Sequence, residues 1–373
     1  MQEELYQIAD KTDSRKIAEF LSKDSQLLLP MLELICNSEH AVDELIDVVG
    51  TDKEVPIPAY DAMITNSRLG SRIMEILMKG VSTRKYQEIL PQMADTVGVS
   101  KSQISREFIA ASQQQLKQLC ERRFDNTDIL VIYIDGIQFG NCHVIVALGV
   151  DSEGFKHILG LREGSSENSR VAIDLLNDMV ERGIKPDRLR LFIIDGSKAL
   201  RCAIDSVYGS KNPVQRCRTH KVRNVLSYLA DDQRDQVKCS MQAAFLLEAK
   251  DGRQKLRQTA QWLEHEYPSA AGSLLEGLDE MFTINALGLP KALRRCLGST
   301  NVIESPNSGI RRRTHRVGNW RDHGMVVRWV ATSLLDMEQR FKRIMGYQQL
   351  WILDARLKEL AGQSAIDSET EVA

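Results

Sequence analysis

The spacing of apolar residues changes character near residue 126. Upstream, apolar positions recur at helical intervals: Ile17, Phe20 and Leu21, then Gln26 to Ile35, then Ala41 to Val49. A break follows at residues 50–58, GTDKEVPIP, where two prolines push their neighbours into extended backbone; it reads as a linker. Residues 71–121 return to helical spacing. From Asp128 the apolar residues instead come in short β-branched runs: DILVIYIDGIQF, CHVIVALGVD and FKHILGLRE. Glycine or polar turns separate them, which predicts three consecutive antiparallel strands.

An amphipathic helix is predicted over 168–182, with Val171, Ile173, Leu175, Leu176, Met179 and Val180 on its apolar side. The strand LRLFIID, a helix over 197–208 and a short strand at 213–216 come next. Three antiparallel strands, a crossover helix and a further parallel strand make an α/β fold, a mixed sheet of ribonuclease-H type. Residues 221–289 are strand-poor and helical, an insertion into that sheet. The expected divisions are a helical segment 1–56, an all-α DNA-binding domain 57–125 and a first core part 126–216. The insertion 217–295, a last core part 296–345 and a tail 346–373 complete them.

The chain has 373 residues and a formal net charge of −2, so its overall balance points to no partner. The distribution is more telling. Residues 1–60 are acidic, whereas residues 291–328 carry nine Lys and Arg against Glu304 and Asp322. Seven scattered cysteines fit a reducing compartment rather than a disulfide framework. There is no signal peptide and no apolar run of membrane-spanning length, so a soluble cytoplasmic protein is expected.

Two of the strand runs end in Ile-Asp-Gly, at Asp135 and Asp195. A carboxylate delivered where a buried strand runs out is costly unless something cationic meets it, and two of them point to a shared cation. Asp-Gly is equally a common turn dipeptide. In the proposed sheet the first strand and the strand after the crossover are neighbours, which would bring these acids together across 60 positions of sequence. Within 93–108, MADTVGVSKSQISREF, residues Ala94, Gly98 and Ile104 have helix-turn-helix spacing. Lys101, Ser102, Gln103, Ser105 and Arg106 would then face DNA; the alternative is an ordinary helical hairpin. A third acid, Glu304, lies in GSTNVIESPNSGIRRR, where Asn301 as N-cap and Glu304 three residues on could equally be a capping box.

Together, YIDGIQF, FIIDGSKALR, VQRCRTHKVRNV, STNVIES with its trailing arginines, and RWVATSLLDMEQRFKRIMGYQQL resemble the Mutator-type transposases of bacterial insertion sequences. The resemblance runs from about residue 67 to 360. It implies a DDE enzyme on a ribonuclease-H-like core, with Asp135, Asp195 and Glu304 as the triad. It also implies that Cys217 and His220 are the family's Cys-x-x-His signature beside the active site, where His220 would reach the scissile phosphate or DNA; Cys217 by itself reads as a packing residue. Two ligands are too few for a structural zinc site, and no second pair at metal spacing lies nearby in sequence.

In-line displacement at phosphorus suits two Mg²⁺ ions held by hard carboxylates, with Mn²⁺ able to substitute. Asp135 is expected to bridge them, with Asp195 and Glu304 each completing one site. Arg311, Arg312, Arg313 and Arg316 would grip phosphates, or form a solvated basic helix face. The expected partners are double-stranded DNA, as terminal inverted repeats and target, and at least a second copy of the chain in the synapse. Two departures stand out: a short segment before Pro56, and Pro306 two residues after Glu304, which either kinks a helix or begins one. The rival readings are a catalytically impaired relative that only binds DNA, and a structure-selective nuclease.

Overall fold

The computed structural model describes residues 78, 101–165, 168–315 and 317–370. The linker, most of the helix-turn-helix segment and the side chains of Lys101, Ser102 and Gln103 lie outside that description, as does Arg316. From Gln113 onward the chain forms one compact unit. It is entered through α1 (Lys101–Glu121).

The three β-branched runs fold as expected into β1 (Ile129–Phe139), β2 (Cys142–Asp151) and β3 (Lys156–Glu163). Both pairings are antiparallel. Helix α2 (Ser169–Glu181) crosses over, its start tied by the Asn168 side chain accepting from the Arg170 N–H. Strand β4 (Leu191–Ile194) then pairs in parallel with β1. Helix α3 (Lys198–Tyr208), capped by Ser197, leads to β5 (Val214–Arg216), parallel to β4. The five strands lie in the order β3-β2-β1-β4-β5, a mixed sheet.

An irregularity in the β1–β2 register between Ile129 and Val131 resets which residues face which side. Beyond it, Val131, Tyr133, Ile137 and Phe139 join one core, while Ile132 and Ile134 join the other with the apolar faces of α2 and α3. Asp135, between Tyr133 and Ile137, therefore points to the first of these faces.

After β5 the chain becomes helical: α4 (Arg218–Leu226), α5 (Asp231–Leu246), α6 (Ala249–Glu264), α7 (Pro268–Leu275) and the short α8 (Thr283–Ala286). They enclose their own core of Val225, Val237, Met241, Phe245, Leu256, Leu274 and Phe282. α6 packs so closely at Gly252 that a Cβ there would run into the Phe282 ring and lie 2.6 Å from the Ala244 carbonyl. Residues 281–284 close the open edge of β5. Gln215 donates to the Met281 carbonyl (3.0 Å) and accepts from the Ile284 N–H (3.1 Å), and Thr283 donates to the Val214 carbonyl (2.6 Å). A sheet edge left bare would invite pairing with another chain.

The chain returns through α9 (Lys291–Leu297) to α10 (Asn301–Thr314), α11 (His323–Glu338) and α12 (Leu350–Thr370). Ile303, Ile310, Val326, Val330, Leu334, Leu350, Leu353 and Leu357 from these helices cover the face on which Asp135 lies.

Candidate active site

Asp135 is only 9% exposed, and the Asn307 side-chain amide donates to its Oδ2 at 2.8 Å. Its pKa is pushed up to about 6, first by burial and next by the negative charge of Asp195, with Glu304 adding to it. The charge of His220 and the Gly136 N–H pull the other way without cancelling the rise. Asp195 and Glu304 thus lie near enough to disfavour the ionised form of Asp135, although the ligating oxygens of the three acids do not all fall within 4.8 Å of one another.

Asp195 follows the last residue of β4. Tyr133 and Ile193 are register partners, so Asp135 and Asp195 each lie two residues further along neighbouring parallel strands. The Ser197 N–H donates to Asp195 Oδ1 at 2.9 Å, turning the chain into α3. Gly196 between them has φ +108°, and a Cβ there would meet the Arg216 Nε at 2.9 Å. Only glycine lets the chain turn this tightly under the buried guanidinium.

Glu304 lies in the first turn of α10. The expected capping box is not what forms. Asn301 is the first helical residue, the side chain of Thr300 before it makes no cap hydrogen bond, and the Asn301 N–H donates to the Ser299 hydroxyl at 3.5 Å. The Thr300 hydroxyl instead donates to Glu304 Oε1 at 2.7 Å, one helical turn away. Pro306 lies inside α10, so of the two readings the helix does not begin at it. Being early in the helix, it removes one hydrogen bond, and α10 continues through it to Thr314.

Cys217 joins β5 to α4. Fully buried, its sulfur accepts from the His220 N–H (3.5 Å) and the Thr300 N–H (3.3 Å), and lies 3.2 Å from the Thr300 hydroxyl. His220 Nδ1 is 3.3 Å from that hydroxyl and 3.8 Å from Glu304 Oε1. The single hydroxyl proton goes to the carboxylate at 2.7 Å, so a protonated His220 donates into the hydroxyl oxygen: His220 to Thr300 to Glu304. The adjacent Cys217 sulfur, more than the Glu304 and Asp135 charges, raises the His220 pKa to about 9 despite partial burial. The sequence showed no third partner for Cys217 and His220. The fold supplies Glu304, whose ligating atom lies with theirs inside 4.8 Å.

The remaining site residues separate. Arg311 and Arg312 are exposed on α10, whereas Arg313 is bound to Asp336 Oδ2 at 2.5 Å and to the Gly309 carbonyl. Arg106 is exposed on α1. Trp320 stands edge-on to Phe139, 5.4 Å between ring centres. Two residues escaped sequence reasoning. Asn307 is one turn beyond Glu304 on the same helix, and Thr300 is four positions before it; both spacings were visible, but nothing in the sequence tied them to the acids. Asn307 Oδ1 is buried without a hydrogen-bond partner beside Asp135.

An acid within β1, a second just after the end of the neighbouring parallel β4 and a third on helix α10 of the same unit belong to an α/β protein with a mixed sheet. Residues 63–344 match the family described as "Transposase, Mutator family", and the chain belongs to that family. It is 26% identical over 303 residues to the transposase for insertion sequence element IS1081 of Mycobacterium tuberculosis, covering 76% of this chain and 69% of that protein. It is 25% identical to the IS406 transposase of Burkholderia multivorans (74% and 72% covered). Its identity to the IS256 transposase in transposon Tn4001 of Staphylococcus aureus is 24% (73% and 71%).

Proposed function

We propose that this chain is the transposase of an insertion sequence and that Asp135, Asp195 and Glu304 are a DDE triad on a ribonuclease-H-like sheet. The observation that carries the reading is the buried Asp135 on β1, whose ionised form is disfavoured by burial and by the charges of Asp195 and Glu304. A buried carboxylate facing the charges of two others is kept at such a position when a cation is to be bound. The donor set fits Mg²⁺: three hard carboxylates, and beside them an unpaired amide oxygen on Asn307. Asp135, Asp195 and Glu304 would hold the ions. When bound, the ions supply charge neutralisation on the scissile phosphate and an activated water or 3′-hydroxyl nucleophile.

The chain's own groups hold this arrangement in register. Asn307 fixes the rotation of the Asp135 carboxylate. Thr300 fixes that of Glu304. His220, protonated at neutral pH and braced by Cys217, places a positive charge beside the acids, where a phosphate oxygen would sit. Arg311 and Arg312 hold the DNA backbone near the site, and the helix-turn-helix segment, with Lys101, Ser102, Gln103 and Arg106, reads the element ends. Cleavage frees a 3′ end and a second in-line displacement joins it to target DNA, with no covalent protein–DNA intermediate. Two ends in one synapse require at least two copies of the chain.

The test is Mn²⁺- or Mg²⁺-dependent nicking of end DNA by the purified chain, lost in Asp135→Ala, Asp195→Ala and Glu304→Ala. Joining of the freed 3′ end to a plasmid excludes a simple nuclease. Specific binding to end DNA without any nicking would reassign the chain as a non-catalytic binder.

A further inference from the structure

A second cluster of ligating side chains lies on the same sheet face at its outer rim. Cys142 opens β2 and Glu163 closes β3. Glu163 is the register partner of Val144, two residues from Cys142, so the pleat sends both side chains to the face covered by α11. His323 is the first residue of α11, and its Nδ1 contacts Glu163 Oε1. One ligating atom each from Cys142, Glu163 and His323 falls within 4.8 Å of the others. Phe139, opposite Cys142, is four residues beyond Asp135, which separates this cluster from the acids by about 13 Å along the strand.

We propose that Cys142, Glu163 and His323 form a binding site for a zinc-type divalent ion, distinct from the Mg²⁺ site of the acids. A thiolate, an imidazole and a carboxylate are the mixed donor set that zinc takes and magnesium does not. Zinc bonds of roughly 2.0–2.3 Å need donors about 3.5 Å apart. Glu163 and His323, with 40% and 63% of their side chains exposed, can rotate to close the gap, while the buried Cys142 stays fixed. Three protein ligands leave a fourth position for water or a DNA phosphate.

Such an ion would pin the start of α11 to the sheet rim. The segment it would fix follows the arginine-bearing helix α10 and includes Trp320, already seated on Phe139. The ion would therefore set where the DNA-facing stretch between α10 and α11 leaves the sheet. An ordinary His–Glu ion pair over a buried thiol is the competing account, and it makes no demand on Cys142.

The experiment is titration of chelator-treated full-length chain with Co²⁺, following the near-ultraviolet thiolate-to-cobalt charge-transfer band. A saturable band at one ion per chain is expected. It should persist in Cys217→Ser and Asp135→Asn, resist a large excess of Mg²⁺, and vanish in Cys142→Ser. His323→Gln and Glu163→Gln, at exposed positions, should weaken Co²⁺ binding at least tenfold with an unchanged circular dichroism spectrum. No band in the unmodified chain, or a band that survives Cys142→Ser or is lost in Cys217→Ser, overturns the assignment. Because the readout involves neither DNA nor cleavage, it stands apart from the fate of the triad.

Discussion

Replacing Asp135 with Asn should make the metal-free protein more stable while removing its activity. Burial and the neighbouring acids lift the Asp135 pKa from 3.8 to about 6, so the fold disfavours the ionised carboxylate. The climb corresponds to roughly 3 kcal/mol against the charged form. The sign follows from linkage. Below pH about 4 the carboxyl is protonated in both folded and unfolded chains, and no penalty exists. Between about 4 and 6 the unfolded chain ionises while the folded one resists, so stability falls as pH rises, and above 6 the whole penalty is present. An Asn at 135 keeps an oxygen to accept from Asn307 and offers N–H donors to the other acids.

After allowance for burying the new amide, Asp135→Asn should gain about 1–3 kcal/mol at pH 7.5 and nothing at pH 4. The assay is urea unfolding in EDTA across pH 4–8, comparing midpoints at constant slope. Adding Mg²⁺ should then stabilise the unmodified chain and leave the variant unmoved. A variant no more stable than its parent at pH 7.5, or equally more stable at pH 4, would refute the claim that burial and the neighbouring acids disfavour the Asp135 carboxylate.

Three further outcomes follow from the same geometry. Thr300→Val keeps the shape but deletes the hydroxyl between His220 and Glu304; it should cost about 1–2 kcal/mol in urea unfolding and slow nicking up to about tenfold, with Mg²⁺ still required. Gly196→Ala forces a side chain onto a positive φ beneath Arg216 and should cost about 1–3 kcal/mol by the same measurement; an unchanged midpoint would contradict the turn described between Asp195 and Ser197. Arg311→Ala with Arg312→Ala should flatten the plot of log affinity for DNA against log salt by about 2. Arg313→Ala should leave that slope unchanged and lower stability instead, since Arg313 serves Asp336.

The sheet was readable because each buried strand is a dense β-branched run, and Asp195 because the run of β4 stops at it; β1, against expectation, does not end at Asp135 but stays paired with β2 as far as Phe139. Their closeness also followed, since parallel pairing of β1 and β4 aligns residues 60 apart. What resisted reading was α10. Asn301 read as a cap and Pro306 as a possible first residue, whereas the helix starts at Asn301, and Thr300 before it donates its N–H to Cys217, 83 positions earlier, a contact that no local preference announces. Asn307 was silent for the same reason: its partner Asp135 is 172 positions away, and an Asn inside a helix has no local signature of what it will touch. The helix-turn-helix reading falls mostly outside the described residues.

The Cys217–Thr300 contact has a bearing on how the chain could vary. The polypeptide leaves the sheet at one and comes back at the other, 3.2 Å away, so the whole helical excursion is stitched shut at its neck. Lengthening or trimming such a closed detour changes its entropy only slowly with residue number. Growth or loss of the detour can therefore leave the spacing of the acids untouched, provided that the stitch and the cover over the β5 edge are kept.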